Sequence, residues 1–438
     1  MGHLRWVIVA AGALLLGCSE DSETGGTGGT GGTSSGTGGS SSGTGGSGGS
    51  SSGTGGSSSG TGGGTGGGTV ELEGYGTTST FGSSGDTCTV TTVDDSGAGS
   101  LRDCVENRDG PVDNPTPRTV VFEVGGTIEQ LTDLRIRQPY LTIDGLTAPA
   151  PGITIQKLGD GTDGETLINT WSGNDTCGHD VLIQGIRFVG VWAGTSEDHS
   201  QNAATIALDG EDLPLCLKNV VLNRVTVVSA QDSGGDIWGS VTDVTFQYSA
   251  FLRSLHPNTY SHFPGDVADQ QRERISNHHN LYAYIHERGP QIVGNVWDLN
   301  LEQNIFHNWA AFGFGGGYEV RIRCRDTGCP ERLNLIENHW TSFGQNLSEA
   351  LILGDSSGAG DDGSLPAQVY LAGNRLPGEN VDSGSAGSEF PRSTEAEVTL
   401  VSDDQLVSGV LPLIGAPYRT DDENQIFGEV ADQIAAEL

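Results

Sequence analysis

The feature that most constrains the fold is a series of short β-branched runs between residues 95 and 149. The sequence reads DSGAGSLRDCV, then RTVVFEVGGTI, then LTIDGLTAP, and GITI follows. Each run ends at Gly, Asp or Pro, and none keeps a helical period long enough to bury one face. The pattern predicts a chain that forms one short strand, turns, and forms the next.

The middle of the chain, between Val181 and Leu376, repeats this pattern. Aliphatic residues alternate, give way to Asn or another polar residue, and then resume, as in NVVLNRVTVV, DVTFQYSAFL and RLNLIENHW. The repeats start about 24 residues apart and later intervals are longer, which is typical of a coiled β-solenoid. A β-sandwich also has many short strands, but it does not predict Asn at such regular spacing. We expect these side chains to stack as a structural ladder: Asn280, Asn304, Asn338 and Asn374.

The first three segments also resemble the opening of the pectate lyases of polysaccharide lyase family one. In that family a Gly-Ser-Leu-Arg-Asp segment leads into a Phe-x-Val-x-Gly-Thr-Ile strand and then into an Ile-Asp-Gly-x-Thr-Ala-Pro turn. All three occur here in the same order and at close spacing. The resemblance implies an all-β fold, a right-handed parallel β-helix.

The first 69 residues do not have the composition of a folded domain. Arg5, a short apolar run and Leu15-Leu16-Gly17-Cys18 predict a signal over residues 1–18 that is too short to span a bilayer. Its ending resembles a bacterial lipobox, which implies a lipidated Cys18; the alternative is an ordinary secretory signal. Residues 19–69, rich in Gly, Ser and Thr, predict a disordered linker, and residues 70–438 remain for one β-helix domain.

These segments predict where the protein resides. We expect an exported lipoprotein of the outer membrane or cell surface, or one released outside the cell, that touches the membrane only through its lipid anchor. The net charge of −35 excludes nucleic acid as a partner and permits divalent cations. A polyanionic substrate would need local positive charge. We expect a monomer.

Six cysteines remain once Cys18 is set aside. An even number in an exported protein indicates disulfides, and six cysteines allow fifteen pairings. Pairing of nearest neighbours is the arrangement we expect: 88–104, 177–216 and 324–329. A metal site is the alternative, but no C-x-x-C pair with His partners is present in the sequence.

The segment ISNHHNLYAYIHERGPQI carries the catalytic part of the resemblance. It is similar to a family segment in which HHNLF is followed by Ser-Arg-x-Pro-Arg, and Arg288 stands where the family has its catalytic arginine. The implied reaction is β-elimination on 4-linked galacturonan, that is, polygalacturonate or pectin. An arginine is an awkward base because its pKa is above 12, so the reaction needs charge assistance and alkaline conditions.

A calcium site is implied by the segment Asp232-Ser-Gly-Gly-Asp236. It resembles the family segment in which two acids four residues apart precede an Ile-x-x-Gly-Ser strand. Asn202 stands near the position of a third ligand, where the family commonly has Asp. Calcium prefers clustered oxygen ligands, which these three residues would supply. The alternative is that both aspartates are solvated turn residues.

Two cationic positions of the family are changed in this chain. The family often has Lys where the nearest residue here is His262, and a second Arg after the Pro where the chain has Gln291 and Val293. Arg272 or Arg274 could substitute as a substrate-binding cation.

The changed positions leave three functions open. The first is a calcium-assisted pectate lyase-like enzyme. The second is a β-helix that binds polysaccharide with weak or absent catalysis. The third is a glycoside hydrolase with Asp232 and Asp236 as its acid pair, although no hydrolase motif accompanies them.

Overall fold

The protein is described from a computed structural model. It describes residues 70–111, 114–157, 168–173, 176–190, 206–210, 216–231, 234–260, 272–294, 296–309, 320–323, 332–341, 351–353, 368–376, 389 and 397–437. The chain divides by its contacts into Met1–Ser58 and Ser59–Leu438, and every described residue belongs to the second unit. Among these residues, no helix is both long enough and apolar enough to cross a membrane.

The described strands stack into three sheets, A, B and C. Sheet A consists of β1 (Asp86–Val90), β2 (Arg118–Phe122), β5 (Leu141–Asp144), β9 (Val181–Gln184), β12 (Leu217–Asn223), β15 (Val241–Gln247), β18 (Arg272–His278), β21 (Val296–Glu302), β24 (Arg332–Ile336) and β27 (Gln368–Ala372). Sheet B consists of β3 (Gly126–Gln130), β6 (Ile153–Lys157), β10 (Ile186–Val189), β13 (Thr226–Val228), β16 (Ala250–Leu252), β19 (Leu281–Ala283), β22 (Ile305–His307) and β25 (His339–Trp340). Sheet C consists of β4 (Leu134–Ile136), β7 (Ile168–Gly173), β11 (Ile206–Gly210), β14 (Gly235–Gly239), β17 (Asn258–Tyr260), β20 (Gln291–Val293), β23 (Val320–Arg323) and β26 (Leu351–Leu353), with β8 (Thr176–Cys177) paired antiparallel to β7.

The order of the strands defines a parallel β-helix. Each coil supplies one strand to sheet A, the next to sheet B and the next to sheet C, as β15, β16 and β17 do. Each of these strands pairs in parallel with the matching strand one coil later, namely β18, β19 and β20. The coils therefore stack along one axis, as the spacing of the repeats predicts.

The core forms because inward-facing residues of successive coils stack in register. In sheet A one such column is fully buried and aliphatic: Val220, Val244, Ile275, Leu299 and Leu333. In sheet B the matching column is aromatic, with ring centroids 4.8–5.2 Å apart: Phe251, Tyr282, Phe306 and Trp340. Stacking of these large apolar groups removes them from water and supplies the main stabilisation of the coils.

The turn between sheets A and B is where the asparagine ladder forms, as predicted. Nδ2 of Asn280 donates to Oδ1 of Asn304 at 3.1 Å, Asn304 donates to Asn338 at 3.1 Å, and Asn338 donates to Asn374 at 3.0 Å. The same Oδ1 atoms also accept the backbone N–H of the preceding asparagine in the ladder. These buried amides thus satisfy each other and the turn backbone, which is a structural role.

Two disulfides join parts of neighbouring coils. Cys88 pairs with Cys104, and Cys177 pairs with Cys216, which confirms two of the predicted pairs. Cys324 and Cys329 lie outside the described residues. Cys104 belongs to helix α1 (Leu101–Glu106), which begins after the N-cap Ser100 and adds its apolar face to the main core.

The two ends of the described chain cover two of the sheets. Residues 73–76 cross sheet A, with the N–H of Tyr75 donating to Oγ of Ser276 at 3.1 Å. The C-terminal part, with the helices α2 (Asp403–Gln405) and α3 (Asp421–Glu437), packs an apolar face on sheet B. A buried ion pair between Arg187 of β10 and Glu423 of α3, at 2.6 Å, fixes that helix.

Candidate functional site

The predicted catalytic residue Arg288 and the predicted calcium ligand Asp236 lie at the same sheet. Asp236 is in β14, and Arg288 comes just before β20, with only β17 between these strands in sheet C. Asp236 is in register with Thr259, and Thr259 is in register with Gln291. The chain therefore brings two residues that are distant in sequence to one sheet, two coils apart.

The side chain of Asp236 lies on the outer face of sheet C, because successive side chains of a strand point to opposite faces of the sheet. Ile237 points into the core, so the side chains of Asp236 and Trp238 leave the opposite face. The indole Nε1 of Trp238 donates to Oδ2 of Asp236 at 2.8 Å. Although it faces outward, Asp236 is only 4% exposed. Its carboxylate is thus held in place beside the sheet.

The backbone of Arg288 is fixed to the neighbouring coil. Its carbonyl accepts the N–H of Asn258 in β17 at 2.9 Å, and its φ of 64° lies in the left-handed region. Because adjacent strands are about 4.8 Å apart, β14 and β20 are separated by about 10 Å, and residue 288 lies three positions before Gln291, the residue of β20 in register with Asp236. A long guanidinium side chain and a carboxylate at this separation can contact one sugar chain.

A second acid stands next to the arginine. Oε1 of Glu287 is 2.7 Å from Nε2 of His256 and 3.8 Å from Nε of Arg288. Burial would raise the pKa of Glu287, but the His256 hydrogen bond and the nearby positive charges outweigh it and lower that pKa to about 2. Glu287 is therefore a carboxylate that orients Arg288 rather than a general base.

Arg274, which the sequence predicts as a substrate-binding residue, lies on a different sheet from Arg288 and Asp236. It lies in β18 of sheet A, where its Nε forms an ion pair with Asp243 at 2.5 Å and its guanidinium lies 5.3 Å from the ring centroid of Tyr75. Sequence spacing alone does not tell which of three sheets a strand joins, and Arg274 precedes the asparagine turn rather than sheet C. The other predicted site residues lie outside the described residues: Asn202, Asp232 and His262.

A cation that the sequence did not single out lies on the same outer row of sheet C. Arg321 of β23 is in register with Gln291, one coil further on, and its N–H donates to the carbonyl of Pro290 at 3.2 Å. Its neighbours Val320 and Ile322 are fully buried, so Arg321 faces outward. The alternation in the sequence VRIR could have indicated this, but only if the strand had been assigned to sheet C.

The chemistry of the predicted donor set fits calcium. Asp236 offers a carboxylate held beside the outer face of sheet C, and the predicted ligands Asp232 and Asn202, which lie outside the described residues, would add a carboxylate and an amide oxygen. Calcium takes several such hard oxygen ligands. An amide in place of a third carboxylate lowers the negative charge of the set, which predicts weaker binding of the ion.

Comparisons with known proteins agree with this description. No protein-family model matches the chain. It is 32% identical to the probable pectate lyase C of Aspergillus flavus over 246 residues, which are 56% of this chain and 48% of that protein. It is 30% identical to the probable pectate lyase C of Aspergillus terreus over 270 residues, which are 62% of this chain and 53% of that protein. The chain thus spans about half the length of these curated relatives.

Solved structures show the same fold. A pectate lyase from Bacillus sp. N165, in complex with trigalacturonate, superimposes with a TM-score of 0.52 at 17% identity and covers 80% of this chain and 99% of that one. A polygalacturonate lyase fused to a self-assembling amphipathic peptide superimposes with a TM-score of 0.50 at 14% identity, covering 80% of this chain and 97% of that one. The protein is a right-handed parallel β-helix, as its sequence predicts.

Proposed function

We propose that this protein is a polysaccharide lyase that cleaves 4-linked galacturonan at the outer face of sheet C. The observation that carries the proposal is the placement of Arg288 and Asp236 at the same sheet, two coils apart. The similarity to probable pectate lyases over more than half of the chain supports the same substrate class.

The reaction is a β-elimination. A base takes the proton from C5 of the sugar, the C–H electron pair forms the C4–C5 double bond, and the C4–O bond breaks, so the departing oxygen takes up a proton. Arg288, in its neutral form at alkaline pH, is the residue we assign as the base; the guanidinium that forms as it takes the C5 proton stabilises the negative charge developing on the neighbouring carboxylate, and it later loses that proton to solvent. Glu287 and the contact with Asn258 keep Arg288 in position.

Calcium is the cofactor that we propose. Asp236, Asp232 and Asn202 would hold it, and the bound ion would withdraw charge from the substrate carboxylate and so make the C5 proton more acidic. Because the protein has a net charge of −35, a polyanionic substrate needs local cations. Arg321 supplies one on the outer row of sheet C, and His262 is a further candidate.

We place the protein outside the cytoplasm. The disulfides Cys88–Cys104 and Cys177–Cys216 fit an oxidising compartment, and a polymeric substrate is met outside the cell. Anchoring to the outer membrane or cell surface rests on the lipobox-like motif at Cys18 alone, because the curated relatives are fungal and a lipobox is a bacterial signal. We expect the protein to act as a monomer.

Binding without cleavage is the second candidate function. It is favoured by the carboxylate of Glu287 near Arg288, and by Gln291 and Val293 where the resembled family has a further arginine. A polysaccharide-binding β-helix would keep the outer face of sheet C but would not release unsaturated product.

One assay separates the two functions. The purified protein is incubated with polygalacturonate and with methylated pectin at alkaline pH, with calcium or with a chelator, and the ultraviolet absorbance of the unsaturated product is followed. We expect absorbance to rise with calcium and to stop with chelator. Binding of either polymer in a pull-down, with no rise in absorbance under any condition, would refute the lyase proposal.

A further inference from the structure

Three potential metal ligands meet on sheet A, away from the candidate active site. Glu73 belongs to the N-terminal segment that crosses the sheet, His278 ends β18, and His279 begins the asparagine turn. One ligand atom from each of the three lies within 4.8 Å of the others, and both histidines are fully buried. Nothing in the proposed lyase reaction uses these side chains.

The hydrogen bonds fix the tautomer of His279. Its Nε2 is 3.0 Å from Oε1 of Gln303, and that oxygen also accepts the N–H of Val401 at 2.8 Å. The amide nitrogen of Gln303 donates to the carbonyl of Val401, so the orientation of the amide is defined. Nε2 of His279 must therefore carry the hydrogen. A neutral imidazole with its hydrogen on Nε2 has its lone pair on Nδ1.

The same reasoning applies to His278. Its Nε2 faces the backbone carbonyl of Glu73 at 3.4 Å, and a carbonyl can only accept a hydrogen bond. A neutral His278 ring with its hydrogen on Nε2 likewise has its lone pair on Nδ1. The two Nδ1 atoms nevertheless lie only 2.9 Å apart. Two lone pairs at that distance repel each other unless a positive charge lies between them.

We propose that Nδ1 of His278, Nδ1 of His279 and the carboxylate of Glu73 bind one divalent transition-metal ion. With metal–nitrogen bonds of about 2.0–2.1 Å, nitrogen atoms 2.9 Å apart subtend an angle of about 90° at the metal. That angle suits two adjacent positions of a five- or six-coordinate ion. Imidazole with carboxylate is a donor set for zinc, copper, nickel or iron, whereas calcium takes oxygen ligands.

The surroundings of the three ligands match what metal sites require. Each histidine gives its other N–H to a carbonyl oxygen, which orients the ring toward the metal. The carboxylate of Glu73 accepts hydrogen bonds from the N–H of Thr399 at 3.0 Å and from its Oγ1 at 2.6 Å. A bound ion would therefore join the N-terminal segment, sheet A and the C-terminal segment, which is a structural role independent of catalysis.

The competing arrangement has a proton between the rings. In that case one histidine carries its hydrogen on Nδ1 and donates it to the other, and the long contact from His278 to the carbonyl of Glu73 is not a hydrogen bond. Metal binding decides between the two arrangements, because a shared proton leaves no pair of lone pairs for an ion.

The experiment measures metal binding by the full-length protein, purified without a histidine tag and stripped with chelator. Isothermal titration with Zn²⁺ is expected to give one site per chain with a Kd in the micromolar range or tighter. Electron paramagnetic resonance of the Cu²⁺-loaded protein is expected to show coupling to two imidazole nitrogens. No binding, or a spectrum without two nitrogens, would overturn the proposal.

Variants locate the site. Glu73→Gln keeps the shape of the side chain but loses the charged ligand, and Gln303→Leu removes the partner that orients His279. We expect zinc affinity to fall about 10- to 100-fold in each. Matched controls are Glu71→Gln, in the same segment, and His307→Gln, a buried histidine outside the cluster. Equal affinity in Glu73→Gln and Glu71→Gln would place any bound zinc elsewhere and refute the site.

Discussion

The turn between sheets A and B is nearly the same in successive coils, whereas the connections around sheet C differ from coil to coil. From β12 to β25, each A–B turn has only two residues, the first in the left-handed region and, from His279 onward, the second an asparagine of the ladder. The connections that enter and leave sheet C are unequal in length, from the single residue Ser240 between β14 and β15 to residues 190–205 between β10 and β11. One side of the coil is thus repeated, and the other varies from coil to coil.

The difference shows where stability and chemistry are located. On the repeated side, buried amides must be satisfied in every coil, so the same residue returns at the same position. Around sheet C, by contrast, the candidate functional residues are not repeated from coil to coil. Asp236 and Arg321 lie in the outer row of the sheet, and Arg288 lies just before β20. Proteins commonly carry their functional residues on variable loops that a rigid scaffold holds in place, and the stacked coils are such a scaffold. The predictions below test this division.

The largest effect is expected from Arg288. We expect Arg288→Ala to lower kcat on polygalacturonate about 100- to 1000-fold, because the residue that acts on the C5 proton is lost. The matched control is Arg274→Ala, which removes an exposed ion pair on sheet A. Steady-state rates measured by product absorbance should be unchanged in the control. Comparable losses in both variants would mean that the two sheets are not functionally distinct.

The next effect concerns the ladder. Asn304→Ala removes one amide, so the buried backbone N–H of Asn280 loses its acceptor, and Oδ1 of Asn338 and the carbonyl of Asn277 each lose a donor. We expect the free energy of unfolding to fall by about 3 kcal/mol, measured by urea denaturation followed by circular dichroism. Asn424→Ala, at an exposed position of α3, should change it by less than about 0.5 kcal/mol. An Asn304 variant as stable as the Asn424 variant would contradict the structural role of the ladder.

A smaller effect is expected from Asp236. Asp236→Asn keeps an oxygen that can accept the hydrogen bond from Trp238 but removes one negative charge. We expect half-maximal activity to need about tenfold more calcium, because carboxylates supply most of the attraction for this ion. Asp243→Asn on sheet A is the control, since asparagine tolerates the left-handed backbone there. The calcium dependence of both variants is read from initial rates, and an unchanged dependence in Asp236→Asn would exclude the residue as a ligand.

The smallest effect is expected from Arg321. We assign Arg321 to binding the polymer and not to the C5 proton, so Arg321→Gln should raise KM roughly threefold and leave kcat unchanged. Arg332→Gln, which loses an ion pair with Asp298 on sheet A, serves as the control. If kcat falls and KM does not change, Arg321 takes part in the reaction itself.

The parts of the molecule that repeat from coil to coil could be predicted from the sequence. The asparagine ladder and the pairs Cys88–Cys104 and Cys177–Cys216 could be read from spacing, because each coil returns its residues to the same place. The right-handed parallel β-helix could be predicted from the repeat together with the family resemblance. The placements of Arg274 and Arg321 could not, since spacing does not distinguish the three sheets.

The cluster on sheet A also could not be predicted. Glu73 meets His278 and His279 across about 200 residues of chain, through an N-terminal segment whose path depends on side-chain hydrogen bonds rather than on a repeat. The packing of α3 on sheet B could not be predicted either, because it depends on apolar contacts that the repeat pattern of the coils does not indicate.

The most direct test of the central claim is a crystal structure of the Arg288→Ala variant with trigalacturonate and calcium. We predict sugar residues bound along the outer face of sheet C, across β14, β17 and β20, with calcium between Asp236 and a substrate carboxylate. Trigalacturonate bound on sheet A or sheet B, with the outer face of sheet C left free, would contradict the account.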